Sequence, residues 1–328
     1  MPVVSSSYLP PRFLRHGHTA TILSSFFPAG PDQWSAFERL ELPDSDFLDL
    51  AWMLRPATPP APLAILSHGL EGSFNAPYIR SLARTLHAAG WNILAWNYRS
   101  CGGIPNRLPQ SYHSGASDDL RLVVSHAAPR ASSIALVGFS LGGNLTLKYA
   151  AESPPHRAVS AAIAVSAPVH LASSAQALDQ PRNRLYLLRF LKSLIPKALA
   201  KARQFPGSLD PANLRSIRSI HDFDHRVTAP LHGFSSAEDY WQRASALPLL
   251  PKLSIPSLLL NALDDPLLAT PSFPDSIAAP HPLFHMESSR FGGHVGFPDP
   301  AQGWQRWHDR RILDFLTQHS PSPTTPAS

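Results

Sequence analysis

Cysteine is nearly absent from this chain. One residue in 328, Cys101, carries a thiol, which excludes an internal disulfide framework and any multi-cysteine metal site. Long apolar runs are missing too. No stretch approaches the ~20 residues of a membrane span, and Met1 to His18 lacks the uninterrupted apolar core of a secretory leader. With the lone thiol, which suits a reducing compartment, these absences lead to the expectation of a cytoplasmic protein. Excess charge is modest: the net charge is +5. No nucleic-acid motif accompanies it, so no nucleic-acid partner is expected. There is no internal repeat. Apolar residues, by contrast, are plentiful. They make up 44% of the chain, enough at this length to fill one large α/β domain with an insertion.

The most informative stretch is Gly138-Phe139-Ser140-Leu141-Gly142-Gly143-Asn144, which contains G-x-S-x-G. Ser133 to Val137 before it is a short apolar run that reads as a buried parallel strand. After it, Leu141, Leu145 and Tyr149 recur at four-residue spacing, one face of a helix. Ser140 therefore sits on a tight strand-to-helix turn, a nucleophile elbow. The same turn puts the Leu141 N–H at a helix N-terminus, where negative charge is favoured.

The remainder of the chain is organised around that turn. Residues 1–29, with Pro2, Pro10, Pro11 and Pro28, show no clear periodicity and read as an arm lying over the domain. Leu48, Leu50, Trp52 and Leu54 alternate onto one face of an antiparallel strand near the sheet edge, with Ala36 to Leu42 as hairpin partner. Pro56 to Pro62 is a surface connection. Further strands are read at Leu63 to Ser67, Trp91 to Tyr98, Val159 to Val165, Ile255 to Asn261 and His281 to Glu287. Helices are read at Tyr78 to Ala89, from a cap at Ser117-Asp118-Asp119 to about His126, and at Gly303 to Gln318. Strand–helix alternation from Leu63 to Val165 predicts an α/β fold with a mostly parallel central sheet flanked by helices. The pattern breaks at Pro168. Residues 169–248 are helical and basic, and the strand pattern then resumes. The expected organisation is an arm (1–29), a core (30–168 and 249–319), a helical cap inserted over the strand ends (169–248) and a disordered tail (320–328).

A serine hydroxyl needs a base within hydrogen-bond reach, and the base needs an acceptor that fixes its tautomer. The chain supplies both at strand ends and in the order Ser140, aspartate, His294, which is the α/β-hydrolase order. Two aspartates compete at Asp264-Asp265-Pro266. Asp265 is favoured because the residue just after the strand faces the site, which leaves Asp264 as a turn-former. His68-Gly69-Leu70 ends another buried strand, and the Leu70 N–H pairs with the Leu141 N–H as a candidate oxyanion hole. His68 reads as a packing residue of that turn.

At these positions the sequence resembles the YheT-like branch of the α/β-hydrolases, which includes medium-chain esterases and phospholipid hydrolases of eukaryotes. The likeness covers nearly the whole chain. It rests on Ser45 to Leu50, His68-Gly69-Leu70-Glu71-Gly72-Ser73, Asn97 to Gly103, Tyr112-His113-Ser114-Gly115, Gly138 to Asn144, Asp264-Asp265-Pro266 and Gly292 to Phe297. Within the cap it rests on Phe223-Asp224, His232-Gly233-Phe234 and Asp239-Tyr240. Two places depart from the family pattern: His18-Thr19-Ala20-Thr21, where an H-L-Q-T-like stretch is usual, and Ser100, often glycine. The resemblance implies hydrolysis of carboxylic esters with short or medium acyl chains by Ser140, Asp265 and His294, without a cofactor.

Weaker signals point elsewhere. Cys101 reads as a structural thiol. His221-Asp222-Phe223-Asp224-His225 has metal-like composition but reads as an ordinary polar cap segment, so no metal is expected. His281 and His285 read as core or edge histidines on one strand face. Seven Lys/Arg and no Asp/Glu lie between Arg182 and Arg203, interleaved with Leu185, Leu188, Leu191 and Ile195. This is a cap helix with a solvated basic side, and it leaves weak peripheral contact with an anionic membrane open. The sequence thus predicts a serine hydrolase whose partner is a small ester or lipid. An acyltransferase using an alcohol in place of water, and a silent binding protein on the same fold, are the alternatives. Oligomeric state is not encoded in any motif.

Overall fold

The computed structural model describes residues 2–27, 33–56 and 60–320. The expected tail beyond Ser320, the last residues of the arm and the centre of the Pro56–Pro62 connection lie outside the described residues. The strands are β1 (Val3–Ser5), β2 (Ala36–Glu41), β3 (Phe47–Met53), β4 (Leu63–Ser67), β5 (Asn92–Asn97), β6 (Ile134–Phe139), β7 (Val159–Val165), β8 (Ser257–Ala262) and β9 (Phe284–Ser289). Among the described residues these nine form one sheet in the order β1-β9-β8-β7-β6-β4-β5-β3-β2. Every neighbouring pair is parallel except β2 with β3 and β3 with β5. The expected antiparallel hairpin at the edge is therefore present.

In chain order the helices are α1 (Gly17–Ser24), α2 (Pro77–Ala88), α3 (Ser117–Ala127), α4 (Leu141–Glu152), α5 (Leu171–Leu178), α6 (Arg184–Gln204), α7 (Pro211–Arg215), α8 (Ile220–Phe223), α9 (Ala229–His232), α10 (Ala237–Ala244), α11 (Asp275–Ala278) and α12 (Trp307–His319). They cover both faces of the sheet, so the central strands are apolar at successive positions instead of alternating. Ala64 and Leu66 of β4 face Ile79, Leu82 and Leu86 of α2 and Phe315 of α12. Their neighbours Leu63 and Ile65 point the other way, toward Leu120 and Val123 of α3 and Leu145 and Tyr149 of α4. The two-residue period of a strand thus builds two cores from one run.

Four details differ from the sequence reading. The arm does more than lie over the domain: β1 pairs in parallel with β9, and α1 packs beside the site described below. Ser117 does not cap α3. Ala116 holds the cap position without a side-chain bond, and the Ser117 hydroxyl donates back to the Gly115 carbonyl. Asp119 is drawn into a 2.7 Å ion pair with Arg99. β9 starts three residues later than expected, because Pro280 and Pro282 lack ladder donors. His281 consequently sits before the strand, where its Nδ1 accepts the Leu283 and Phe284 N–H groups, and it shares no strand face with His285. Finally, α12 begins at Trp307, because Gly303 and Trp304 have φ of 64°, outside the helical region.

Between β7 and β8 the cap segment is helical, with a π-helical turn at Asp224–Thr228. Leu187, Leu191 and Leu194 of α6 pack with Phe223, Val227, Tyr240 and Trp241. Asn144 of α4 ties this segment to the core. Its Nδ2 donates to the Ser114 and Ala244 carbonyls at 2.9 and 2.8 Å, and its Oδ1 accepts the Ala246 N–H at 2.9 Å.

Nearby, the rings of His113 and His232 lie 4.7 Å apart. Burial pushes His113 down to about 3 and His232 down to about 4, whereas an unfolded histidine titrates near 6.5. Between those values the unfolded chain binds more protons, so stability is full above about pH 6.5 and falls as pH drops toward 4. His232→Leu should remove roughly 1–3 kcal/mol of that acid sensitivity. Urea melts of both proteins at about pH 7 and about pH 4.5 check this, and parallel losses in the two proteins would refute it.

Candidate active site

Ser140 leaves β6 and enters α4 with φ 53° and ψ −120°, a strained conformation for a residue with a side chain. The surrounding backbone enforces it. The Ser140 N–H donates to the Val165 carbonyl at 2.9 Å, and the Ser140 carbonyl accepts the Gly143 N–H at 2.9 Å. Two residues after the serine, the turn passes so close to β4 that a Cβ on Gly142 would stand 2.5 Å from the carbonyls of Ser67 and His68. Only glycine fits there.

The structure brings Ser140, His294 and Asp265 into one hydrogen-bonded line. His294 Nε2 lies 2.8 Å from Ser140 Oγ, and its Nδ1 lies 2.8 Å from Asp265 Oδ2. A carboxylate only accepts, so Nδ1 carries the proton and Nε2 is left to accept from the hydroxyl. The Asp265 side chain is fully buried, and that of His294 is 13% exposed. Asp265 Oδ1 also accepts the Leu267 N–H at 2.8 Å, which fixes the plane of the carboxylate.

The histidine loop is pinned by side chains from three separate parts of the chain. Asp264 Oδ1 accepts the Gly293 N–H, Thr21 Oγ1 of α1 accepts the His294 N–H, and Ser166 Oγ accepts the Val295 N–H, at 2.8, 2.8 and 2.9 Å. Thr21 Oγ1 itself donates to the Gly17 carbonyl at 2.7 Å. Asp264 thus faces the loop backbone and not the imidazole, and burial raises its carboxyl above the usual range. Sequence reasoning missed Thr21 and Ser166. The visible trace of Thr21 was the His18-Thr19-Ala20-Thr21 stretch; nothing local marks Ser166.

Leu70 and Leu141 border the same cavity as Ser140 and His294. Neither N–H has a protein acceptor among the described residues. The turn holding Leu70 runs against the serine: a Cβ on Gly69 would come 3.2 Å from the Ser140 Cβ. Aromatic hydroxyls brace this turn. The Gly69 N–H donates to Tyr78 Oη, the Glu71 N–H to Tyr112 Oη, and Tyr98 Oη donates to the His68 carbonyl, at 2.9, 2.9 and 2.6 Å. His68 is fully buried, and that burial pushes it down to about 4. Its Nδ1–H donates to the Gly69 carbonyl at 2.7 Å, so it belongs to the scaffold of the turn.

Glu71, at φ 56°, joins this turn to the cap. Its carboxylate accepts from Tyr112 Oη and Ser193 Oγ, and Lys197 Nζ lies 2.8 Å from Oε2. Two hollows meet at Ser140. One, of about 160 Å³, runs under the cap between Leu171, Leu194, Phe223, Val227 and Trp241. The other, of about 750 Å³, is a groove between α1 and α6 that opens outward past Ile22, Phe26, Leu185 and Arg189.

The remaining candidates lie elsewhere. Burial pushes the Cys101 thiol up to about 12. His221 Nε2 is 2.8 Å from Glu238, while Asp224 accepts from Trp241 Nε1 and Thr228 Oγ1, both at 2.8 Å. Among the described residues no three His, Cys, Asp or Glu side chains converge as metal ligands, and no helix is long and apolar enough to cross a membrane.

Comparison with known proteins agrees with this architecture. The family model for the alpha/beta hydrolase fold matches residues 62–272. The "Putative esterase YheT" of Escherichia coli (strain K12) is 35% identical over 96% of this chain and 94% of its own length. Phospholipase ABHD3 of Homo sapiens is 26% identical over 96% of this chain and 80% of its own length. Among solved structures, the Pyrococcus furiosus esterase Pf2001 superposes with a TM-score of 0.58 at 15% identity, covering 90% of this chain and 97% of that one. A whole-length relative, a matching family model and the strand order all lead to one assignment: the chain belongs to the α/β-hydrolase family, in its YheT-like branch.

Proposed function

We propose that this chain is a serine esterase that cleaves carboxylic esters of short or medium acyl chains. The observation that carries the proposal is the Ser140–His294–Asp265 line, two 2.8 Å hydrogen bonds long, at the junction of an apolar cavity and an open groove. Ser140 Oγ attacks the ester carbonyl carbon as its proton passes to His294 Nε2. The resulting imidazolium is held by Asp265, and the N–H groups of Leu70 and Leu141 take the oxyanion. Collapse expels the alcohol, which receives the proton from His294. Water, activated by the same base, then releases the acid and restores the serine.

The size of the inner cavity supports the short end of the acyl range. An apolar cavity of roughly 150 Å³ accommodates a guest the size of benzene, and the cavity here is about 160 Å³. The alcohol portion is left to the groove. Ester or lipid substrates also fit the esterase and phospholipase names of the relatives.

Ser140→Ala should abolish ester hydrolysis and leave the melting curve near wild type, since it removes a nucleophile and little packing. Substantial residual turnover in a clean preparation would overturn the assignment. Asp265→Asn should lower kcat by about 10⁴, the loss of a comparable triad, because the amide favours the wrong tautomer. Asp264→Ala should act mainly on stability, by on the order of 1 kcal/mol for the lost Gly293 bond. Kinetics and melts of both variants separate the roles, and the reverse pattern would make Asp264 the acid.

We assign Glu71 as a positioning residue for the Leu70 N–H. Glu71→Gln and Lys197→Met should each lower kcat about tenfold with a smaller change in KM, and the double variant should be no worse than either single one. Additive losses, or losses confined to KM, would remove this role.

A further inference from the structure

The mouth of the outer groove is an unusual piece of surface. On one side of it α1 and the residues after it expose Ile22, Leu23 and Phe26, and Phe26 is 76% exposed. On the other side the outer face of α6 exposes Leu185, at 76%, and Leu188. Groove residues from both elements, among them Ile22, Phe26 and Leu185, line one continuous depression that ends at Ser140 and His294. Around the apolar side chains stand Arg182, Arg184, Arg189 and Lys192, all exposed. None of these four pairs with a carboxylate among the described residues.

We propose that this face docks on the surface of an anionic phospholipid bilayer, with Leu188, Leu23 and Phe26 entering the interface and the α6 cations meeting headgroup phosphates. A helix that presents leucines between unpaired cations is the form that binds such surfaces, and each cation near an anionic surface adds to binding. A second copy of the chain is a poor occupant. A two-fold contact through this face would set the α6 cations of one copy against the same cations of the other. The docked orientation turns the groove, and through it Ser140, toward the membrane, where an ester-bearing lipid enters without crossing water. The inference deepens the esterase reading by naming where the substrate comes from. Binding itself does not require turnover.

The full chain and its Ser140→Ala form are sedimented with vesicles of phosphatidylcholine alone and with vesicles of equal parts phosphatidylcholine and phosphatidylglycerol. Both proteins should bind the mixed vesicles, lose that binding as salt is raised, and bind neutral vesicles on the order of tenfold more weakly. Arg184→Glu with Lys192→Glu, and separately Leu188→Asp with Leu23→Asp, should each weaken binding at least about tenfold. Both pairs should leave melting curves and hydrolysis of a soluble short-chain ester unchanged. Should either pair misfold, Arg184→Gln with Lys192→Gln is the milder substitute and should still weaken binding severalfold. Failure to bind either vesicle, or binding that these changes do not alter, overturns the proposal. So does self-association abolished by the same substitutions. If vesicles are bound but ester is not cleaved, docking stands and the esterase reading falls.

Discussion

The structure depends first on one backbone angle. Ser140 is held at φ 53°, a conformation that costs on the order of 1–3 kcal/mol and persists only if its neighbours allow nothing else. β7 takes its N–H, α4 takes its carbonyl, and β4 runs so close to Gly142 that the turn cannot relax outward. Parallel neighbours are what make this possible. β4, β6 and β7 all end on the same edge of the sheet, so the elbow, the Leu70 turn and Ser166 meet without any long loop to support them.

The histidine is positioned by a different strategy. His294 sits on a loop, and a loop alone does not hold an imidazole to within the tolerance of a 2.8 Å bond. Three consecutive N–H groups, from Gly293 to Val295, are each taken by a side chain from a different region. The three acceptors come from α1, from the end of β7 and from the end of β8. Removing any one leaves two, so the loop's geometry is overdetermined, and its stability is spread over contacts separated by hundreds of residues in the chain.

This division explains what could be read from the sequence. The elbow was legible because its signal is local: an apolar strand, a glycine-bounded serine and a helical period within about fifteen residues. The choice between Asp264 and Asp265 could be argued from strand register, and the two side chains do point to different partners, one to the His294 loop backbone and one to the imidazole. The α/β fold and the antiparallel edge followed from periodicity alone. Thr21 and Ser166 were not legible, since a hydroxyl on a short helix or at a strand end gives no sign of an acceptor role toward residues more than a hundred positions away. The Ser117 cap failed for a related reason. Its neighbour Asp119 is drawn into the Arg99 ion pair, a tertiary contact that local capping rules do not see.

Two of the ties between cap and core are chemically unlike, and this has a consequence for where water enters between them. Asn144 is fully buried, and two of its three bonds, those to Ala244 and Ala246, would be stripped at once if α10 lifted away. Lys197 is 39% exposed, so water can solvate its ammonium as the contact with Glu71 opens. A further tie holds the C-terminal half of α6, where the buried Lys201 ammonium donates to the Asn106 and Leu108 carbonyls. Water therefore reaches the contact between cap and core at Lys197 and is shut out of it at Asn144 and Lys201.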